Sequence, residues 1–173
     1  MALSTDSPNQ NNVPEETARP GAPSVGFFTK AFASGLFSGY SPIASGTVGS
    51  AVGLAIYFIP GFEQIYVILP FCFLVYFVGV RTAEAMEKVY GQDPGEVTID
   101  EVLGMWISLL FLPKTIPVAV VAFFVFRILD IVKPYPARRF DNTPGGSGVM
   151  LDDVISGIYT NLLIHLAVAL KII

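Results

Sequence analysis

Five apolar runs, at residues 47–59, 65–80, 99–112, 116–132 and 154–173, constrain this chain more than any other feature. Stretches of this length satisfy their backbone groups internally only as helices, so the expected fold is all-α. Crossing the hydrocarbon core of a bilayer takes about 20 residues at about 1.5 Å each. The second, fourth and fifth runs approach that length, whereas the first and third suit half-inserted or internally packed helices. Charged residues make up 14% of the chain and the mean hydropathy is +0.61, against about 25% charged in an ordinary soluble domain. The expectation is a membrane-embedded helical bundle of about five to six helices. A very apolar soluble helical protein is the alternative, and it would rarely segregate its apolar residues into such runs.

Residues 1–24 are rich in Asn, Pro, Glu and Thr, and read as a disordered tail before a single domain at 25–173. The tail lacks the basic and apolar regions of a signal peptide. Cys72 is the single cysteine, which excludes a disulfide framework within the chain and any zinc-ligand spacing. With a net charge of −4 and no basic block, nucleic acid is not an expected partner. Oligomeric state is open.

If every run crosses, the N-terminus, the 81–98 loop and the 133–153 loop share one side. That side carries most of the Lys and Arg, including Lys30, Arg81, Lys88, Lys133, Arg138 and Arg139, and is therefore expected to be cytoplasmic. Every polar cluster falls on it too. Charge gathered at one end of a bundle suits a surface-acting enzyme, since a channel needs polar residues through its full depth.

Each of four clusters has a plain reading and a functional one. Thr98-Ile99-Asp100-Glu101 reads as a capping box or as a carboxylate pair facing a metal. Arg127, Asp130 and Lys133, three apart, share a helix face ended by Pro134 and Pro136; they form a structural ion pair or a functional set. A glycine-rich loop from Gly145 leads to Asp152 and Asp153, read as an Asp N-cap or as site carboxylates. From Asp153 a polar stripe continues through Gly157, Asn161 and His165, the last a packed core histidine. Ser41 to Ser50, with Gly46 and Gly49, offers an N-cap at Ser45 or Thr47, or a nest of backbone N–H groups for phosphate. Together these ends supply carboxylates for Mg²⁺ and cations for phosphate oxygens. Phosphatase routes through Cys-x₅-Arg, a histidine pair or Asp-x-Asp-x-Thr have no matching residues.

At these clusters the chain resembles the phosphatidylglycerophosphatase A family. The residues concerned are Ser41–Ser50, against Ser-Pro-x-Ala-Pro-Gly-Thr-x-Gly-Ser; Asp100 to Gly104, against Asp-Glu-x-x-Gly; Phe126 to Pro136, against Phe-Arg-x-Phe-Asp-x-x-Lys-Pro-x-Pro; and Gly145 to Gly157, against a glycine loop into Asp-Asp-x-x-Ala-Gly. The chain departs from the pattern at Ser45, Leu129 and Ser156, where Pro, Phe and Ala are usual. The resemblance implies a Mg²⁺-dependent phosphatase that converts phosphatidylglycerophosphate to phosphatidylglycerol and phosphate. It implies a multi-pass protein of the bacterial inner membrane with its active site facing the cytoplasm. A phosphatase of another lipid such as phosphatidic acid, and a non-catalytic membrane or regulatory relative, are the alternatives. The expected metal ligands are Asp100, Glu101, Asp130 and Asp153, with Asp152 as a further ligand or base. Arg127, Lys133 and Arg138 are expected to hold phosphate, and Thr47 to shape its pocket. Direct attack by water is the expected route.

Overall fold

A computed structural model describes residues 24–141, 143 and 145–173, with only the backbone of Asp141. The expected tail, except Ser24, lies outside them. Among the described residues the fold is all-helical: α1 (Phe27–Ala33), a 3₁₀ turn (Ser38–Tyr40), α2 (Ser45–Tyr57), α3 (Ile65–Tyr90), α4 (Ile99–Ser108), α5 (Ile116–Val132), α6 (Ala137–Asp141) and α7 (Gly146–Ala169). The five expected helices are present, and the fourth run coincides with α5. Two helices extend well beyond their apolar runs. α3 continues past Val80 for nearly three charged turns, braced by Lys88–Glu84 at 3.0 Å. α7 starts eight residues before its run, because the glycines there pack as helix: Gly146 lies so close to the carbonyl of Val80 on α3 that a side chain would overlap it.

α4 is the axis of the bundle. Eight of its ten residues are buried, which requires helices on nearly every side; its main neighbours are α7 and α2. Close approach is possible because glycines line both crossings. A Cβ on Gly157 would sit 2.6 Å from the Gly104 carbonyl oxygen, and one on Gly53 would lie 3.0 Å from Val102 Cα. Polar side chains then occupy the backbone groups such crossings expose. Trp106 Nε1 donates to the Gly53 carbonyl at 2.9 Å. Asn161 Nδ2 donates to the carbonyls of Ser108 at 3.2 Å and Leu110 at 2.8 Å, which the end of α4 leaves free. His165 Nδ1 lies 2.9 Å from the Asn161 carbonyl. The stripe read from the sequence thus faces α4, and its histidine is a packed, bonded one.

Among the described residues two helices, α3 and α7, are long and apolar enough to cross a membrane, at about 39 Å and 36 Å. Only 22% of the most apolar window of α3 is buried in the bundle, and Tyr66, Phe73, Leu74 and Phe77 project outward from it. α5 shows a similar exposed face at Phe124, Ile128 and Ile131. α2 and α4 are too short to cross alone.

The short turns 58–64 and 109–115 meet at one end. Lys114 Nζ donates to the Ile59 carbonyl at 3.0 Å and Glu63 Oε2 at 2.6 Å, and lies 5.3 Å from the centre of the Tyr57 ring. Its ammonium holds the Glu63 carboxyl below the usual range. The other end carries α1, the 91–98 loop and α6, and there the four clusters converge.

Candidate functional site

None of the three capping roles forms. Thr98 stands at the N-cap of α4, but its hydroxyl is paired with Ser38 Oγ at 2.8 Å instead of capping the helix. α2 begins after Ala44, a left-handed residue at φ 48°, so Ser45 and Thr47 lie inside its first turn. Asp152 and Asp153 lie in the second turn of α7, beyond any capping position. Their placement inside the bundle therefore has no capping explanation.

They line a cavity of about 280 Å³ together with Asp100, Glu101, Asp130 and Lys133. Asp100 and Asp153 are only 7% and 2% exposed. Asp100 Oδ1, Glu101 Oε2 and Asp153 Oδ2 are buried with no hydrogen-bond partner, an expensive arrangement for carboxylates unless a cation joins them. Their oxygens form two groups that fit a metal: Asp100, Glu101 and Asp153 in one, Asp130, Asp152 and Asp153 in the other. Within each, the donor atoms lie within 4.8 Å of one another. An all-oxygen, carboxylate-rich donor set suits Mg²⁺.

The cations are placed differently from one another. Lys133 takes the left-handed position that ends α5, at φ 46°, and its Nζ reaches Asp152 Oδ2 at 2.6 Å on the cavity wall. Asp152 Oδ1 also accepts the backbone N–H of Asp153 at 3.0 Å, which fixes the carboxylate plane. Arg127 forms the structural ion pair: Nη1 lies 3.0 Å from Asp130 Oδ2 and 3.4 Å from Ser50 Oγ. It stands behind the cavity, packed so tightly between α2 and α4 that a side chain at Gly46 would overlap both Arg127 and Glu101. Thr47 and the exposed Arg138 do not line the cavity either. Six of the nine residues expected in the site therefore meet there, and Arg127 supports it from behind.

Sequence reasoning overlooked the roof. Asp93, Pro94 and Gly95 line the cavity from the 91–98 loop, beside Ser45 of the cluster read as a phosphate nest, in the first turn of α2. Asp-Pro-Gly is a turn signature, which hid its position over the carboxylates. The loop is held from below: Gly39 fits against the Glu96 backbone without room for a Cβ, and Thr98 N donates to the Ala33 carbonyl at 2.9 Å.

Fold and site define a class: a helical protein with membrane-length helices and a buried carboxylate cavity at one end of the bundle. Within it, the chain belongs to the phosphatidylglycerophosphatase A family, whose model matches residues 31–168. It is 41% identical over 134 residues to the phosphatidylglycerophosphatase A of Escherichia coli K12, covering 73% of this chain and 75% of that one. It is 30% identical over 135 residues to that of Haemophilus influenzae, covering 77% and 82%. A Bacteroides thetaiotaomicron protein, provisionally named a phosphatidylinositol-3-phosphatase, is 39% identical over 142 residues, covering 78% and 89%. No solved structure gives a significant match.

Proposed function

We propose that this chain is a Mg²⁺-dependent lipid phosphatase that hydrolyses the terminal phosphomonoester of phosphatidylglycerophosphate, at the cytoplasmic face of a bacterial inner membrane. The observation that carries this reading is the set of buried, unpartnered carboxylate oxygens of Asp100, Glu101 and Asp153 facing one polar cavity. Family membership supports the phosphatase activity and the names of two relatives support the substrate.

Asp100, Glu101, Asp130 and Asp153 would hold Mg²⁺, which when bound screens the phosphate charge and readies water for attack. Lys133 binds a phosphate oxygen from the wall, its ammonium oriented by Asp152. Asp152 serves as a further ligand or takes the proton of the attacking water. Water oxygen bonds to phosphorus, the bond from phosphorus to the glycerol oxygen breaks, and solvent in the open cavity reprotonates that oxygen. Arg127 acts by positioning: it fixes Asp130, and its positive charge lies beside Glu101.

The test is phosphate release from phosphatidylglycerophosphate by purified protein in detergent, with Mg²⁺ or with EDTA. Release should require Mg²⁺ and vanish in Asp153→Ala. The same assay on phosphatidylinositol 3-phosphate addresses a second reading, which rests on the name of the Bacteroides relative. Faster release from that lipid would move the assignment to inositol headgroups, and no release from either by folded protein would end the phosphatase reading.

A further inference from the structure

Among the described residues the cavity carboxylates resolve into two groups of three that share Asp153, not into one group of five. The division follows from the helices that carry them. Asp100 and Glu101 start α4, Asp130 ends α5, and α7 brings Asp152 and Asp153 between the two. Two oxygens on one Mg²⁺ lie at most about 4.2 Å apart, twice the metal–oxygen distance. The donor atoms of each group lie within 4.8 Å of one another, a spacing close to that limit; the five together are not one such set.

Charge leads to the same place. Six carboxylates, Asp93 of the roof included, face the cations Arg127 and Lys133, leaving four negative charges when all are ionised. A phosphate monoester dianion brings two more. One divalent ion leaves that total strongly negative, whereas two offset most of it. Asp153, 2% exposed with Oδ2 unpartnered, is the carboxylate both groups require.

We infer that the site binds two divalent cations, one held by Asp100, Glu101 and Asp153 and the other by Asp130, Asp152 and Asp153, with Asp153 bridging them. This rests on the metal-dependent reading above and deepens it: Asp152 becomes a ligand, and Arg127 and Lys133 each orient a ligand of the second ion, through Asp130 and Asp152. Paired ions in phosphate-processing sites lie about 4 Å apart, close enough for a shared carboxylate to couple their electron spins.

The experiment uses Mn²⁺ alone with the purified full chain in detergent, and reads bound metal by equilibrium dialysis and spin coupling by electron paramagnetic resonance. Two Mn²⁺ per chain at saturation are expected, with the multiline spectrum of a coupled pair. Glu101→Gln and Asp152→Asn should each weaken one ion by at least tenfold and remove the coupling while leaving the other bound. Asp153→Asn, nearly the same size, should weaken both; circular dichroism checks that it is folded. One Mn²⁺ per chain, or two without coupling, would overturn the pair, and phosphate release by such a protein would leave the phosphatase reading intact. Two coupled ions without phosphate release would support the pair and end that reading. No bound ion would overturn both.

Discussion

Lys133 and Asp152 test whether a charge is kept for stability or for chemistry. Their contact, 2.6 Å long, joins an ammonium that is 22% exposed to a carboxylate that is 7% exposed. Lys133→Met leaves Asp152 buried without its cation, and should cost about 1–3 kcal/mol of stability. Lys133→Met with Asp152→Leu removes both charges, so it should recover most of that loss. Phosphate release should not recover, because the double variant still lacks the ammonium at the phosphate. Thermal midpoints and rates of the three variants separate the effects, and parallel recovery of rate and midpoint would mean that the pair is only structural. Asp153→Asn should behave differently, with release falling about a hundredfold to a thousandfold, the loss typical of one preorganised electrostatic group. Its midpoint without metal should hold or rise, since the amide replaces an unpartnered charge.

The helices owe their spacing to glycine, and two neighbouring positions on α7 should therefore respond in opposite directions. Gly157→Ala would place a methyl 2.6 Å from the Gly104 carbonyl oxygen, forcing α4 and α7 apart at a cost of about 1–3 kcal/mol. Ser156 is fully buried and its hydroxyl has no partner, so Ser156→Ala should be neutral or raise the midpoint. At the far end, Lys114 stabilises ionised Glu63 and holds its pKa down. That contribution is complete above the ordinary glutamate value of about 4.3 and is lost as pH falls through the lower folded value. The melting difference between wild type and Glu63→Gln should accordingly be present at pH 7 and close in acid. Much of this was legible in the sequence, for physical reasons. Apolar runs marked the helices, and α5 matched its run because Pro117 opens it and Lys133 with Pro134 closes it. The true starts of α2 and α7 were hidden because glycines that read as loop were packing surfaces. The Arg127–Asp130 pair was legible in its spacing along α5, but the contact with Ser50, distant in the chain, which helps hold Arg127 behind the cavity, was not.

How the molecule sits in its membrane follows from which faces lack partners. α3 shows apolar side chains outward from Tyr66 to Phe77, and its first charged residue is Arg81. The apolar stretch 65–80 spans about 24 Å, somewhat less than the hydrocarbon core of about 30 Å, a mismatch that local thinning can absorb. Gly146 packs against Val80 and Glu84, and Gly79 against Met150 and Ile99, so α7 and α4 begin where α3 turns from apolar to charged. Asp153 lies seven residues into α7, about 10 Å along the helix from that level. Lys114 joins the two short turns at the opposite end of the bundle from the cavity. In a Cys72→Ser background, exposed Gln92 and Gln64 mark the two sides. A membrane-impermeant maleimide should label Gln64→Cys on intact spheroplasts and Gln92→Cys only after lysis. The reverse pattern would put the cavity outside the cell, whereas labelling of both from one side would mean that α3 does not cross.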